Sequence, residues 1–242
     1  MGGFANNAPI VTDGLVFYVD AGNSKSYPGS GTTWSDLVGG NDGTFEPTLG
    51  PTYDSANGGS IVLDGTDDKV LYGSNGASIL NGLTELTLQV WYKADTTNND
   101  MGIIYGKTSA ASSDDFFGMR FDRSGYAGGG NQVIKAGFGN SNTNQIESSS
   151  NMQSTDWICI TVTCVLGTSI KLYKNGIEDT PTSTVIVSSG TNSISGVTDI
   201  AIGVGAKAAL FNGKIPVVTI YNRALSASEI TQNYNALKNR FI

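Results

Sequence analysis

Alternation of apolar and polar residues with a period of two dominates this chain and predicts short β-strands. In LTLQVWY (86–92) the leucines and the valine share one face, whereas Trp91 lies on the other. WICITVTC (157–164) alternates in the same way. Further predicted strands are 15–20, 60–64, 69–72, 102–107, 116–121, 133–138, 169–174, 184–187, 198–204 and 214–221. The Asn175-Gly176 pair predicts a two-residue hairpin turn, because both central residues of such a turn need positive φ.

One segment near residue 230 departs from this period and predicts a helix. Ser226 is placed as the N-cap and Glu229 completes a capping box, while Leu225 and Ile230 form a hydrophobic staple. Apolar residues then recur at helical spacing, at Ile230, Tyr234, Leu237 and Phe241. We expect this stripe to pack on the sheets of its own domain, with a partner-binding helix as the alternative.

The composition agrees with an all-β fold and excludes several classes of partner. Apolar residues make up 39% of the 242 residues, charged residues only 14%, and there are 32 glycines. This mixture suits many short strands joined by turns and does not suit disorder. Fourteen basic and 21 acidic residues give a net charge of −7 without a basic cluster, so we expect neither nucleic acid nor a membrane surface as a partner.

The chain shows no fixed repeat and no proline-rich linker, so we predict one domain over 14–242 after an N-terminal arm, 1–13. The arm lacks the basic and apolar regions of a signal peptide, and we expect its own sandwich or a neighbouring chain to hold it. Cys159 and Cys164 lie on opposite faces of one predicted strand, about 16 Å apart, too far for a disulfide. Unpaired thiols and the missing signal predict folding in a reducing cytoplasm.

Several segments, taken together and in order, resemble the laminin-G-like jelly rolls of the concanavalin A-like lectin/glucanase superfamily. The matching segments are 14–45, 58–70, 86–95, the strand from Trp157, 171–179 and 211–230. The resemblance implies an all-β sandwich of two antiparallel sheets with six or seven strands each, one of them concave, and a short C-terminal helix. The opening and the ending, YNRALSASEI, also resemble modules of tailed-phage virion proteins.

Glucanases of this fold carry an E-x-D-x-(x)-E strand, because a retaining mechanism needs two carboxyl groups about 5–5.5 Å apart. None of the five glutamates here has an acidic residue two positions away, and no two aspartates are two apart. The chain has no histidine, which removes Ser-His-Asp and Cys-His nucleophile systems and the usual zinc sites. We therefore expect no catalytic activity; convergence of carboxylates from neighbouring strands is the route left open to a glycosidase.

Three aspartates, Asp64, Asp67 and Asp68, follow a predicted strand in SIVLDGTDDKV. They favour a turn, because Asp64 can accept from the amide two residues on and Gly65 permits positive φ. They could also supply part of the six to eight oxygens of a calcium site, although their spacing is not that of an EF-hand. Some modules of the resembled family bind calcium at their rim, so Ca²⁺ is the one candidate cofactor, beside the mainly structural interpretation.

Sugar binding would use exposed aromatic rings beside polar side chains, because the C–H face of a sugar stacks on a ring. The candidates are Tyr126, Asn131, Trp91 and Asp122. Tyr126, in DRSGYAGGGNQ, is the best placed for exposure, because its glycine-rich flanks indicate a loop tip. Tyr27 and Trp34 are expected to pack under a sheet edge instead.

These observations predict a non-enzymatic virion surface protein of a tailed bacteriophage, either a head decoration or a fibre-associated jelly roll. Its partners would be other capsid or tail/fibre proteins, and copies could form a homo-oligomer on the particle. It would reside in the virion after assembly in the host cytoplasm. The alternatives are a carbohydrate-binding lectin module that contacts host or environmental glycans and, third, an unusual glycosidase.

Overall fold

Two antiparallel β-sheets packed face to face form the protein in its computed structural model. The structure describes residues 8–46, 50–95, 100–108, 117–122, 133–139, 144–149, 152–181, 183–186, 193–205 and 209–242. The predicted all-β jelly-roll sandwich with a short C-terminal helix is confirmed. Counting the short edge strands, the described part of the chain has eight strands in one sheet and nine in the other, more than the six or seven expected.

Sheet A is the eight-stranded sheet. Its strands, in spatial order, are β14 (Ile177–Glu178), β13 (Ser169–Lys174), β12 (Ile158–Val165), β7 (Glu85–Ala94), β17 (Asn212–Tyr221), β5 (Ser60–Asp64) and β4 (Thr52–Asp54). The remaining strand, β1 (Leu15–Asp20), pairs with β17. The longest strands, β7 and β17, thus lie in the middle of the sheet.

Sheet B is the nine-stranded sheet and covers the other side of the core. Its strands, in spatial order, are β15 (Ser183–Ile186), β11 (Asn144–Glu147), β10 (Val133–Phe138), β9 (Phe117–Asp122), β8 (Met101–Thr108), β16 (Val197–Ile202), β6 (Val70–Leu71), β3 (Gly43–Phe45) and β2 (Thr33–Trp34). Each predicted strand has a counterpart in one of the two sheets, with its ends shifted by at most two residues.

The alternating residues of both sheets meet in one continuous hydrophobic core. Leu86, Leu88 and Val90 of β7 point into it, as period-two alternation requires. Phe117, Met119 and Phe121 of β9, on the facing sheet, do the same. Tyr27 and Trp34 are buried in this core, so their predicted packing role is confirmed.

Two α-helices lie outside the sheets in the described part of the chain. The predicted helix is confirmed as α2 (Ala227–Leu237), and Ser226 and Glu229 form the capping box. The other, α1 (Gly73–Leu80), was not predicted; it has no side-chain N-cap and is anchored by Ala77 and Leu80 in the core. Neither helix is long and apolar enough to cross a membrane.

Both cysteine thiols are free and buried on opposite faces of β12, as the spacing predicted. Cys164 belongs to the main core, whereas Cys159 packs beside Trp91 on the outer side of sheet A. Burial raises the pKa of Cys164 to about 12 and that of Cys159 further still. Neither thiol is therefore an activated nucleophile.

Candidate functional site

The outer face of sheet A carries rows of buried side chains rather than an open surface. Trp91 of β7 pairs with Cys159 of β12 and with Val217 of β17. The next row is polar, and the side-chain amide of Gln89 donates to the Thr161 hydroxyl at 2.9 Å. All five residues are almost fully buried, so something must cover this face.

Helix α2 and the residues after it are that cover. The ring of Trp91 stacks on Tyr234, with centroids 5.5 Å apart and planes 8° apart, and it also contacts the ring of Phe241, with centroids 4.5 Å apart. Ile230 packs on Tyr221 and Tyr173 further along the sheet. The expectation that the stripe packs on its own domain is confirmed.

Trp91 therefore has a different role from the one proposed among the sugar-binding candidates. The sequence placed it correctly on the face opposite Leu88 and Val90, but that face is covered and Trp91 is fully buried. A ring without exposed surface cannot stack on a saccharide, so its assignment as a sugar-binding residue is wrong. Its physical role is to anchor the C-terminal segment on sheet A.

Polar contacts hold this cover in place. Arg240, beyond α2, donates to both carboxylate oxygens of the buried Asp20, at 2.9 and 2.8 Å. Arg223 makes two hydrogen bonds to Glu229, and together with the Ser226 amide and hydroxyl it lowers the pKa of Glu229 to about 2. The helix is thus tied to the sheet at both of its ends.

The N-terminal arm is held from the same side. The main-chain amide of Val11 donates to the Asn233 side chain at 2.8 Å, and Gln232 donates to the carbonyl of Pro9 at 2.7 Å. The hydroxyl of Tyr221 donates to the Val11 carbonyl. Of the two alternatives for what holds the arm, its own domain holds the described residues, and residues 1–7 lie outside the description.

The outer face of sheet B has a different chemistry. Arg120 pairs with Lys135, and Lys135 pairs on its other side with Glu147, so three charged residues form one cross-strand row. In the neighbouring row Gly118 pairs with Gly137. The two glycines are flanked by a tyrosine and a glutamine. The residues of these two rows together are called the sheet B face: Tyr105, Gly118, Arg120, Lys135, Gly137, Gln145 and Glu147.

The register gives the sheet B face its shape. Tyr105 pairs with Gly118, and Gln145 pairs with Gly137, so a ring and an amide stand on either side of two residues without side chains. Tyr105 and Gln145 are half-buried. The Lys135 ammonium lies 3.7 Å from the Glu147 carboxylate, and their side chains are 16% and 9% exposed. This arrangement of a ring, an amide and charged groups beside a glycine floor suits a polar ligand with apolar C–H faces.

The other sugar-binding candidates lie at the end of strand β9 or after it in the sequence. Asp122 is the last residue of β9 and pairs with Val133, the first residue of β10. Tyr126 and Asn131 lie in the connection between these strands, outside the described residues, as does the side chain of Asp122.

The aspartates of the sequence analysis do come together. One carboxylate oxygen from each of Asp64, Asp67 and Asp68 lies within 4.8 Å of the others. Asp64 Oδ1 accepts from the Thr66 amide at 2.7 Å and Gly65 has φ +75°, so the predicted turn is confirmed. These carboxylates belong to one tight turn at the rim of the sandwich and do not face each other across a groove.

Comparison with solved structures shows the same sandwich in proteins of low sequence identity. A sialidase from Trypanosoma rangeli, in complex with the inhibitor DANA, is similar with a TM-score of 0.67 and 14% identity. The alignment covers 98% of this chain and 35% of the sialidase, so this chain spans about a third of that protein. The binding domain of Paraclostridial Mosquitocidal Protein 1 is similar with a TM-score of 0.66 and 16% identity, over 92% of this chain and 52% of that one.

A third similar structure has nearly the same length as this chain. Domain 4 of AbnA, a GH43 extracellular arabinanase from Geobacillus stearothermophilus in complex with arabinotriose, matches with a TM-score of 0.61 and 18% identity. The alignment covers 91% of this chain and 98% of that domain. At these identities the likeness establishes the fold. A sequence search of curated proteins gave no match.

The family assignment comes from the sequence itself. A laminin-G family model, described as concanavalin A-like lectin/glucanases superfamily, matches residues 64–231. This range begins at the aspartate turn, includes both faces discussed above, and ends within α2. It spans more than half of the chain and agrees with the topology of the two sheets. The chain belongs to the concanavalin A-like lectin/glucanases superfamily.

Proposed function

We propose that this protein is a carbohydrate-binding module that binds a saccharide on the sheet B face. The observation that carries the proposal is the contrast between the two outer faces. Helix α2 and the C-terminal residues seal sheet A, whereas sheet B carries a ring, an amide and charged side chains around Gly118 and Gly137.

The chemistry of the sheet B face fits a sugar ring. The apolar C–H face of a pyranose or furanose packs against an aromatic ring, which Tyr105 supplies. Sugar hydroxyls both donate and accept, so the Gln145 amide can bond them in either direction. Arg120 and Lys135 donate and Glu147 accepts. Gly118 and Gly137, both buried, place no side chain of their own between Tyr105 and Gln145.

The comparisons support this proposal without deciding it. Domain 4 of the arabinanase, which is almost as long as this chain, was solved with arabinotriose bound. The mosquitocidal-protein neighbour is a binding domain. The superfamily contains lectins as well as glucanases, so the fold is compatible with binding alone.

A glycan array followed by titration calorimetry with the best ligand tests the proposal. Tyr105→Ala should weaken binding by about tenfold or more, equivalent to about 1.4 kcal/mol, because the stacking surface is lost. Tyr53→Ala is the matched control, since Tyr53 is a half-buried tyrosine of strand β4 in sheet A, and should leave affinity unchanged. A second pair of variants is Lys135→Gln, which changes the sheet B face, and its control Lys171→Gln, which changes an exposed lysine of sheet A.

Two results would overturn the assignment. A folded protein that binds no glycan on a broad array is not a lectin of this kind. Equal losses of affinity for Tyr105→Ala and Tyr53→Ala would show that binding, if present, does not use the sheet B face.

We also propose that the module binds without cleaving its ligand. The described carboxylate cluster, Asp64 with Asp67 and Asp68, is built into a turn and accepts main-chain amides, which leaves it poorly placed for attack on a glycosidic bond. Hydrolysis assays on a panel of polysaccharides should show no product. Release of reducing sugar, abolished by a single carboxylate substitution, would establish a glycosidase instead.

The second candidate function is that of a surface protein of a tailed-phage virion. It rests on the opening and ending segments, which resemble virion modules, and its capsid or tail/fibre partners and homo-oligomer stay predictions. Such a protein could carry the glycan site on the particle, so the two functions are compatible. Mass spectrometry of purified virions tests this role, and absence of the chain from every particle would refute it.

A further inference from the structure

The turn between β4 and β5, residues 55–59, anchors the segment that follows α2. The side-chain amide of Asn57 donates to the main-chain carbonyl of Arg240 at 3.1 Å. In return, the Arg240 guanidinium donates to the main-chain carbonyls of Gly58 and Gly59, at 3.4 and 3.5 Å. Two segments far apart in the sequence therefore hold each other through a short exchange of hydrogen bonds.

This anchor lies beside the cover of sheet A. The Arg240 guanidinium lies 4.9 Å from the centroid of the Phe241 ring, and that ring packs on Trp91. Arg240 also binds the carboxylate of the buried Asp20. A change in the turn therefore acts on the residue directly before the ring that covers Trp91.

The turn contains a chemically labile dipeptide, Asn57-Gly58. Asparagine is a thermolabile residue, and a following glycine has no Cβ to hinder attack of its main-chain nitrogen on the asparagine side chain. Asn57 and Gly58 are both exposed, and Asn57 has a φ of +54°. Gly59 comes next, so no Cβ on either glycine opposes the rotation that brings the Gly58 nitrogen to the Asn57 side chain.

The chain has four other Asn-Gly pairs, which begin at residues 75, 81, 175 and 212. Asn81 exchanges two hydrogen bonds with the main chain of Val197, at 2.9 and 3.1 Å, and the half-buried Asn175 accepts from the Cys159 amide at 2.9 Å. The pair at 212 lies in the ladder of strand β17, and the side chain at 75 lies outside the described residues. Among the pairs with described side chains, Asn57-Gly58 alone combines exposure, a position outside the ladders and a side chain held at one atom only.

We propose that Asn57 is a site of spontaneous deamidation and that its conversion weakens the anchor of the C-terminal segment. The Gly58 nitrogen forms a bond to Asn57 Cγ, the Cγ–Nδ2 bond breaks, and ammonia leaves with the proton of the Gly58 amide. Water then opens the cyclic imide. Cleavage at Cγ gives aspartate at 57, whereas cleavage at the main-chain carbonyl carbon gives isoaspartate, in which the chain continues through the side chain. Water is the co-reactant, and nothing is oxidised or reduced.

Both products remove a contact from the anchor. A carboxylate has no N–H, so it cannot donate to the Arg240 carbonyl and instead places a negative charge beside that oxygen. Isoaspartate also lengthens the main chain by one carbon, which displaces the Gly58 and Gly59 carbonyls that accept from Arg240. Phe241 then covers Trp91 less completely. The proposal does not depend on the glycan site.

Peptide mapping by mass spectrometry, after incubation of the full chain in mildly alkaline buffer, tests the modification. Deamidation should appear at Asn57 before it appears at the other four Asn-Gly pairs, and an isoaspartate methyltransferase should label the product. Incubation in urea is the control, since all five pairs should react at similar rates once the fold is lost. Asn57→Gly keeps the left-handed conformation but has no amide to lose, and its peptide should stay unmodified.

Asn57→Asp tests the consequence for the anchor, because it is one of the two products. It should lower the unfolding temperature by about 2–4 °C, as expected for the loss of one hydrogen bond in a chain of this size. Tryptophan emission should shift to longer wavelength. Asn222→Asp adds the same charge at an exposed position in the turn before α2, and should leave both measurements unchanged. The proposal is overturned if Asn57 in the folded chain reacts no faster than the other pairs, or if Asn57→Asp matches wild type in both measurements.

Discussion

Phe241→Ala tests whether the C-terminal segment seals the outer face of sheet A. The Phe241 ring is 7% exposed and lies 4.5 Å from the centroid of Trp91 and 5.0 Å from that of Trp157. The Arg240 guanidinium lies above the same ring, 4.9 Å from its centroid. Removing the ring opens a space directly over Trp91 while leaving the inter-sheet core untouched.

The expected loss of stability follows from the surroundings of the ring. Phe→Ala in a closed core costs about 3–5 kcal/mol. Phe241 makes two aromatic contacts, each worth roughly 0.5–1.5 kcal/mol beyond burial. It also lies outside the inter-sheet core, in the short segment after α2, so the segment can relax into the space. We therefore expect the free energy of unfolding to fall by about 2–3 kcal/mol, below the closed-core range.

Urea denaturation followed by tryptophan fluorescence measures both consequences. The midpoint should fall with an unchanged slope, and the native emission should shift to longer wavelength because Trp91 and Trp157 gain water. Ile177→Ala is the control, since Ile177 is 75% exposed on strand β14, and should change stability by no more than about 0.5 kcal/mol.

A small effect of Phe241→Ala would also contradict the assignment of the sheet B face. A loss below about 1 kcal/mol with unchanged emission would mean that Phe241 does not cover Trp91 in solution. The outer face of sheet A would then be open to ligands, and the contrast on which the assignment of the sheet B face depends would disappear.

Three further predictions concern the turn, the helix cap and the thiols. Gly176→Ala should cost about 1–2 kcal/mol in urea denaturation, because φ is +79° and a Cβ would meet the helix tyrosine at 3.2 Å. Glu229 has its pKa lowered to about 2 by Arg223, so its stabilisation is present above pH 4.5 and is lost as pH falls toward 2; in Glu229→Gln this part of the acid dependence should vanish in pH-dependent unfolding. Cys159 and Cys164 should resist a thiol reagent in the native protein and react on unfolding, and fast native reaction would contradict their burial.

Local patterns in the sequence were sufficient to predict most of the strands and helix α2. Long strands such as β7 and β12 could be predicted because one face of each packs in the apolar inter-sheet core, whereas the other face includes a polar row, Gln89 with Thr161, and this difference gives a period of two. Helix α2 could be predicted because its capping box and staple lie within six residues. Helix α1 could not, since GSNGASIL contains two glycines and no cap, and only tertiary contacts of Ala77 and Leu80 hold it.

The candidate site depended more on contacts between distant segments. The aspartate turn was predictable because its hydrogen bonds span two to four residues. The juxtaposition of Tyr105 with Gln145 was not, because it requires the register of four strands across Gly118 and Gly137. The prediction that Trp91 binds sugar was wrong for the same reason. Alternation gives the face on which Trp91 lies, but the residues that cover it, Tyr234 and Phe241, come more than 140 positions later in the sequence.

The path of the chain over sheet A determines how the module can be displayed. Pro9 and Phe241, close to the two ends of the described residues, rest on the same side of the sandwich, and sheet B forms the opposite side. A protein captured on a sensor chip through a C-terminal tag would turn its sealed side toward the support and its glycine-floored side toward the solution. Immobilisation through a C-terminal tag is therefore the orientation in which weak ligands of that side should be sought first.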